Sequence, residues 1–361
     1  MSVPPDEQLP NPSPADATDD ASAPAGRRRK APITTALCAI YILAVIAALL
    51  LMRLAGERWW LATLLLFSPR WIWLAPLIVV LPMVLALRRR MAVPVLLAGA
   101  VVLFAIMGFR LPWRKALPAP SAHETVRVFT CNLHNRQSDS LLLDQVEAHF
   151  QPDVILYQDY SHIREPRIVH TPGWHGEQFG SIYIASRFPF HRVDNLLPFD
   201  EAARMYASHG WPVGVAVCCA IDLPGGQAIH LINLHLASAH WQLVKVRDRD
   251  PTGPGSLQAD SERRAYESMI VSAAARRLGG PMIVAGDFNT PDDSPLFRQA
   301  WGDFDDAFNM AGFGFGTTYA QHHTWLRIDH VLYDPSWQCR ECWVGPPIGS
   351  GHRPVMAVLQ R

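Results

Sequence analysis

Three long stretches near the N-terminus lack any charged residue, and the first 122 residues lack histidine altogether. Twenty uncharged residues run from Ile33 to Met52, a second run covers Trp71 to Leu87, and a third covers Met91 to Phe109. Twenty apolar residues in a helix cross a hydrocarbon core about 30 Å thick, so three transmembrane helices are expected. A cleaved signal peptide is excluded as the whole explanation, because its apolar core is about 7 to 15 residues and no further spans follow it. A buried soluble helix accounts for one such run, not three. The runs also carry almost no polar or ionisable side chain that could line a transport path, which leaves anchoring as their simplest role. The stretch from Trp59 to Pro69 either extends the second helix or lies at the interface, with Arg70 favouring a break.

Net charge is absent as well, at 32 Lys+Arg against 32 Asp+Glu, but the neutrality is a sum of opposites. Residues 1–115 hold 13 basic and 6 acidic residues (13 − 6 = +7), and residues 116–361 hold 19 and 26 (19 − 26 = −7). Residues 1–30 are rich in Pro, Ala, Ser and Asp and end in the basic cluster Arg27 to Lys30, the composition of a disordered tail. Residues 31–110 form the membrane module, 111–124 a Pro-rich linker, and 125–361 the remaining domain. Basic residues prefer the cytoplasmic side of a span. Arg27 to Lys30 and Arg88 to Arg90 fit that side, with Arg53, Arg58 and Arg70 opposite, although Arg110, Arg114 and Lys115 oppose the assignment. Three crossings then place residues 125–361 in the periplasm or outside the cell, anchored to an inner membrane.

Cysteine is scarce, and Cys339 and Cys342 have no second CxxC pair to complete a zinc site. A redox pair would open a helix, whereas this one follows a strand-like segment; packing or a local disulfide is expected. No internal repeat is evident. The C-terminal region alternates strand, turn and helix. Strands are expected at Val126 to Cys131, Val154 to Gln158, Ser181 to Ser186, Gly214 to Ile221, Ala228 to Leu234, Pro281 to Ala285, Ile328 to Tyr333 and Val355 to Leu359. Helices are expected at Leu141 to Phe150 and Ser261 to Leu278, and surface loops at 248–260 and 312–316. The fold class implied is an α/β two-sheet sandwich flanked by helices.

Several of these strands end in residues suited to metal-assisted phosphate chemistry. MIVAGDFNT stops an apolar run at Asp287 and Asn289, which share a face because alternate strand positions do. Asn132 ends the first strand, Asp159 follows PDVILYQ, HLINLH supplies Asn233 and His235, RIDHVL supplies Asp329, and SGHRPV supplies His352. Taken with SRFP at 186–189, GDFN, RIDHVL and HRPV in this order resemble the endonuclease/exonuclease/phosphatase superfamily, which includes DNase I-like nucleases, inositol polyphosphate phosphatases and neutral sphingomyelinases. The resemblance covers about two thirds of the chain.

That resemblance implies a DNase I-like fold and a phosphoric ester hydrolase. It implies Mg²⁺, or Mn²⁺, held by Asp159 in the place of the family's glutamate, with Asn132 beside it. Asp287 would orient or deprotonate the attacking water, and Asn289 would bind a phosphoryl oxygen or hold the nucleophile. Asp329 and His352 would form a dyad, with His235 as the second histidine and Gln158 as a structural neighbour. Mg²⁺ takes oxygen ligands and keeps several waters, so one or two carboxylates suffice. The family usually has an aspartate where this chain has Gly351, which would weaken a second metal site. A fold-retaining binding or scaffold protein is therefore the alternative function.

The substrate expected is a phosphate ester: a phospholipid head group, a nucleic acid or a small ester. Nonspecific nucleases draw affinity from basic contacts to the backbone, so an acidic domain does not favour nucleic acid. Membrane attachment favours lipids. His134, His322, His323 and His330 lack a motif and are expected to be structural. Arg327 could reach a phosphate, with a surface salt bridge as its ordinary role, and Asp200 and Glu201 are uncommitted.

Overall fold

A computed structural model describes residues 25–112, 124–134, 139–160, 166–197, 214–321 and 324–361. Most of the expected N-terminal tail and of the linker, with Arg114, Lys115, Asp200, Glu201, His322 and His323, lies outside the described residues. Helix α1 (Ala25–Leu50) already begins inside the segment expected as a tail, and a wide π turn extends it over Leu51–Ala55. The segment in question after it forms its own helix, α2 (Trp60–Phe67). A 3₁₀ turn at Arg70–Leu74 then leads into α3 (Leu77–Leu87), and α4 (Ala92–Val101) continues into a π turn over Val102–Ile106. Three helical stretches, Pro32–Ala55, Arg70–Leu87 and Arg89–Ile106, are long and apolar enough to cross a membrane.

The remaining domain has two six-stranded sheets. Its strands are β1 (Thr125–Asn132), β2 (Val154–Gln158), β3 (His175–Phe179), β4 (Ile182–Ser186), β5 (Phe190–Asn195) and β6 (Val215–Asp222), followed by β7 (Ala228–His235), β8 (Met282–Asp287), β9 (Asp305–Asp306), β10 (Asp329–Tyr333), β11 (Gln338–Val344) and β12 (Val355–Gln360). The first sheet has the order β11-β12-β1-β2-β4-β3 and the second β5-β6-β7-β8-β10-β9. Each has one parallel pair at its centre, β1 with β2 and β7 with β8. Helix α5 (Ser140–Phe150) connects the first pair. Two helices, α6 (His240–Arg247) and α7 (Gly253–Leu278), connect the second. Short helices α8 (Pro295–Trp301) and α9 (Ala307–Ala311) follow β8.

Strand periodicity assigns the faces. Val126, Val128, Val154, Leu156, Ile229, Leu231, Ile283, Ala285, Val331 and Tyr333 fill the space between the sheets. Their alternates on the second sheet, Ile232, Leu234, Val284 and Leu332, meet Val271 and Ala275 of α7 and Phe297 and Trp301 of α8. Their alternates on the first, Phe129, Cys131, Ile155 and Tyr157, meet Leu143 and Phe150 of α5. The expected surface loop at 248–260 departs from this plan, because α7 starts at Gly253 with Pro254 in its first turn. Proline is tolerated there, where its missing N–H would have no intrahelical partner. The strand β11 also carries Cys339 and Cys342, both buried in the core between the sheets.

The apolar helices of the N-terminal region pack onto this domain through buried charge. The Arg70 guanidinium donates to both carboxylate oxygens of Asp293 at 3.0 and 2.9 Å, and to the carbonyls of Leu66 and Ile106. Arg264 of α7 reaches Glu57 at 3.4 Å and Asp260 at 3.0 Å. Arg110, just past the last long apolar helix, pairs with Asp292 at 3.1 Å and exchanges two backbone hydrogen bonds with Gly314. Arg327 is not on the surface as expected. It is buried against Asp306 and Asp292, each at 2.7 Å. Removing one partner of a buried ion pair costs about 3–5 kcal/mol, because the other charge is left uncompensated. Asp293→Ala is therefore expected to lower the thermal midpoint of the detergent-solubilised full chain by roughly 5 °C or more. The double substitution Arg70→Met with Asp293→Leu should recover much of that loss, and scanning calorimetry of the two variants checks both outcomes.

Candidate active site

The site grows out of the core by strand parity. In β1, β2, β7, β8 and β10 the residues facing the other sheet are apolar at the bottom, and one step further along they become polar. Thr130, Gln158 and Asn233 form the first polar layer. Gln158 Nε2 donates to Thr130 Oγ1 at 3.0 Å and to Asn233 Oδ1 at 2.7 Å, and Asn233 Nδ2 donates to the carbonyls of Tyr157 and Tyr183. Asn233, one of the strand-end candidates, is thus a brace between the sheets.

Two residues beyond these stand Asn132, His235, Asp287 and Asp329. In the second sheet His235 and Asp329 are the register partners of Asp287 on either side, so the three lie in one row across adjacent strands. Gly286 permits this row: a Cβ there would sit 2.0 Å from the Leu234 carbonyl oxygen, and its φ of +140° suits glycine alone. From the first sheet, the Asn132 amide donates to Asp287 Oδ2 at 2.8 Å. The other carboxylate oxygen of Asp287 accepts the Asn289 backbone N–H at 2.8 Å. Asn289 itself adopts a left-handed conformation, φ +48°, and its side-chain amide donates to the Leu236 carbonyl.

His352, just before β12, contacts Asp329 through Nδ1 at 2.9 and 3.1 Å, and its Nε2 lies 3.7 Å from Asp287. His235 bridges the opposite side, with Nε2 3.6 Å from Asp287 and Nδ1 3.5 Å from Asp159. Asp159 follows β2 in a left-handed conformation and, alone of these carboxylates, is partly open to solvent. The structure therefore brings all seven expected residues together: six line one cleft, with Asn289 bound to its wall and Asp159 at its rim, and Asp329 lies buried behind His352.

Burial, and then the neighbouring Asp329 carboxylate, push the Asp287 carboxyl above its usual range, against the pull of His352 and His235. Burial alone would depress His352, but the carboxylates of Asp329 and Asp287 outweigh it and hold the imidazolium up to about 9. The stabilisation from that charge is complete below about pH 6.5 and is lost as pH rises through about 9. In chelator-treated protein the thermal midpoint should consequently fall between pH 7 and 9.5, with a flatter profile for Asp329→Asn. Equal slopes in parallel melting series would overturn this assignment of charge.

The donors suit a hard cation. Among the described His, Cys, Asp and Glu residues, the group close enough to share an ion is Asp287, Asp329 and His352, whose ligand atoms lie within 4.8 Å of one another. The expected pair, Asn132 and Asp159, is less direct, because Asn132 Oδ1 already accepts the His134 backbone N–H at 2.8 Å. Asp159 retains an accessible carboxylate across the cleft from Asp287. An oxygen-rich set with one open carboxylate fits a divalent ion that keeps part of its water.

Sequence motifs missed three residues here. His134 lines the cleft, and its buried Nδ1 has no hydrogen-bond partner among the described residues. Tyr319 packs tilted against His352 at 4.9 Å between ring centroids, and burial followed by the Asp287 charge pushes its hydroxyl up to about 12. Gln321 occupies the space beside Gly351: a Cβ on that glycine would meet Gln321 Nε2 at 2.4 Å and His134 Nδ1 at 3.3 Å. The absent aspartate thus leaves room that an amide and an imidazole fill. Only His134, two residues past Asn132, carried a spacing signal. His330 is structural as expected, held by Asp306 at 2.8 Å and by the Thr290 carbonyl at 3.0 Å.

Residues 129–351 match the model of the Endonuclease/Exonuclease/phosphatase family, more than half of the chain. The chain belongs to the endonuclease/exonuclease/phosphatase family. Three solved structures are similar to the chain, and the first shares its fold. A humanized TDP2 of D. rerio is 14% identical, with 66% of this chain and 99% of that chain covered at a TM-score of 0.50. An endonuclease/exonuclease/phosphatase from Beutenbergia cavernae is 17% identical over 66% of this chain and 72% of its own, at 0.49. The human Nocturnin catalytic domain is 14% identical over 69% and 98%, at 0.48. No curated protein sequence matches the chain.

Proposed function

We propose that this family member is a membrane-anchored phosphoesterase that hydrolyses a phosphodiester by attack of water, with a divalent metal, Mg²⁺ or Mn²⁺, as cofactor. The observation that carries this reading is Asp287. A buried carboxylate is flanked by two imidazoles and fixed by an amide from the facing sheet, all opening on one cleft. Such a group accepts a proton from a water aligned beside it, and its raised affinity for protons favours that role. Asn289 aligns the carboxylate through its backbone N–H. His352, kept cationic by Asp329, neutralises charge on the phosphoryl oxygens, and His235 donates to the departing oxygen. Asp159, with Asn132, would hold the metal, which when bound polarises the phosphate and lowers the cost of its added charge.

The buried charged row favours catalysis over a scaffold role, since an inert fold gains nothing from two carboxylates side by side in its interior. With purified full chain, Mg²⁺ and bis-p-nitrophenyl phosphate, Asp287→Ala and His352→Ala should each lower kcat/KM by about 10²–10⁴. Chelation should abolish turnover and Mg²⁺ restore it. Wild-type and both variants releasing nitrophenol at the same rate would sink the enzymatic reading.

The helix directions support the proposed topology. The residues after the first span and before the second dock on the catalytic domain, as does Arg110 after the third. Arg70 and Arg110, which weaken a simple count of basic residues, are neutralised by Asp293 and Asp292. The catalytic domain then lies on the periplasmic or outer face of a multi-pass inner-membrane protein. A C-terminal alkaline phosphatase fusion should be active, whereas activity of a cytoplasmic reporter alone at that position would reverse the orientation.

A further inference from the structure

The cleft that holds Asp287 extends well past the charged row to a volume of about 1030 Å³. Ligand pockets run to about 300–1,000 Å³, and a phosphate with its metal fills a small part of that. One wall of the extension belongs to the membrane module: Leu64 and Phe67 of α2 and Pro69 after it face Leu326 and Ile328 of the catalytic domain. These apolar residues are not an isolated patch. Phe67, Leu326 and Ile328 sit in the same buried cluster as Tyr41, Val45 and Met52 of the first span and Val102 and Ile106 of the third. Apolar packing is thus continuous from the long apolar helices to the edge of the cleft. Two tryptophans stand at this end, Trp241 of α6 lining the cleft and Trp325 beside Leu326, exposed by 68% and 56%. Tryptophan in such a position is at home in the interfacial layer of a bilayer.

Resting on the phosphoesterase reading above, we infer that the substrate is a membrane lipid phosphodiester, taken with its phosphate at Asp287, His235 and His352 and its acyl portion along α2. A water-soluble ester would leave the half-buried Leu64, Pro69, Leu243 and Val244 of that lining facing water, whereas an acyl chain covers them. In the reaction the oxygen of water bonds to phosphorus, one ester P–O bond breaks, and the water's proton ends on the departing oxygen. The products are a phosphomonoester and an alcohol.

The test compares matched pairs of diesters on the full chain in nanodiscs with Mg²⁺. Phosphatidylethanolamine, phosphatidylglycerol and sphingomyelin are each set against the same diester stripped of its acyl chains, with bis-p-nitrophenyl phosphate as the soluble reference. At least one acylated lipid should exceed its stripped counterpart at least tenfold in kcat/KM. Leu64→Asp, at a half-buried position, should shrink that ratio about tenfold, and Trp241→Ala, on the surface, should shrink it in the same direction. Thermal melting controls for folding. If the soluble reference is hydrolysed while no acylated lipid surpasses its counterpart, or the ratio is unmoved in both variants, the lipid inference is overturned and the phosphoesterase reading stands. If no diester is hydrolysed, both fall.

Discussion

Everything at the site depends on keeping one carboxylate, Asp287, inside the protein. Taking an ion out of water costs several kcal/mol unless hydrogen bonds and opposite charge replace the lost hydration. Asp287 has both kinds of compensation, and each comes from a different part of the fold. Asn132 reaches across from the facing sheet, Asn289 donates from the turn that follows, and two histidines approach from β7 and from the segment before β12. The two sheets are held at the right spacing by the Thr130, Gln158 and Asn233 layer beneath. A shift of one residue in any of these strands would turn its polar end to the outer face and leave the carboxylate uncompensated.

The same economy of charge joins the apolar helices of the N-terminal region to the two-sheet domain. Asp292 and Asp293 lie three and four residues beyond Asn289, and their arginine partners come from the ends of the second and third long apolar helical stretches. Burial would raise the Asp292 carboxyl, but Arg327 and Arg110 more than offset this and hold it far below the carboxylate range. The loop that leaves the site is therefore held by charges that belong to the helical N-terminal region. A flexible tether would not need them. That region also forms a wall of the cleft.

Gly351 gains a physical meaning in this setting. The family resemblance marks it as a missing carboxylate, and the structure fills the adjacent space with Gln321 and His134. One fewer negative charge beside Asp287 and Asp329 reduces repulsion in a crowded buried row. The imidazole of His134 and the hydroxyl of Tyr319 complete a polar rim that is less acidic than the family pattern implies.

The sequence by itself determined the local parts of this protein. Period-2 alternation set the main strands, uncharged length set the spans, and GDFN, RIDHVL and HRPV marked strand ends where polar residues replace a core. These are properties of neighbouring residues, so they can be read along the chain. It overlooked the start of α7, because Pro254 serves a helix's first turn as readily as a loop, and it overlooked the edge strands β3 and β5, whose exposed or broken patterns lack clean alternation. Only the tertiary structure decided that Asn233 is a brace, that Arg327 is buried, that His134, Tyr319 and Gln321 join the cleft, and that α2 walls it. Those outcomes depend on contacts between residues far apart in sequence, where charge compensation and shape decide and no local pattern records them.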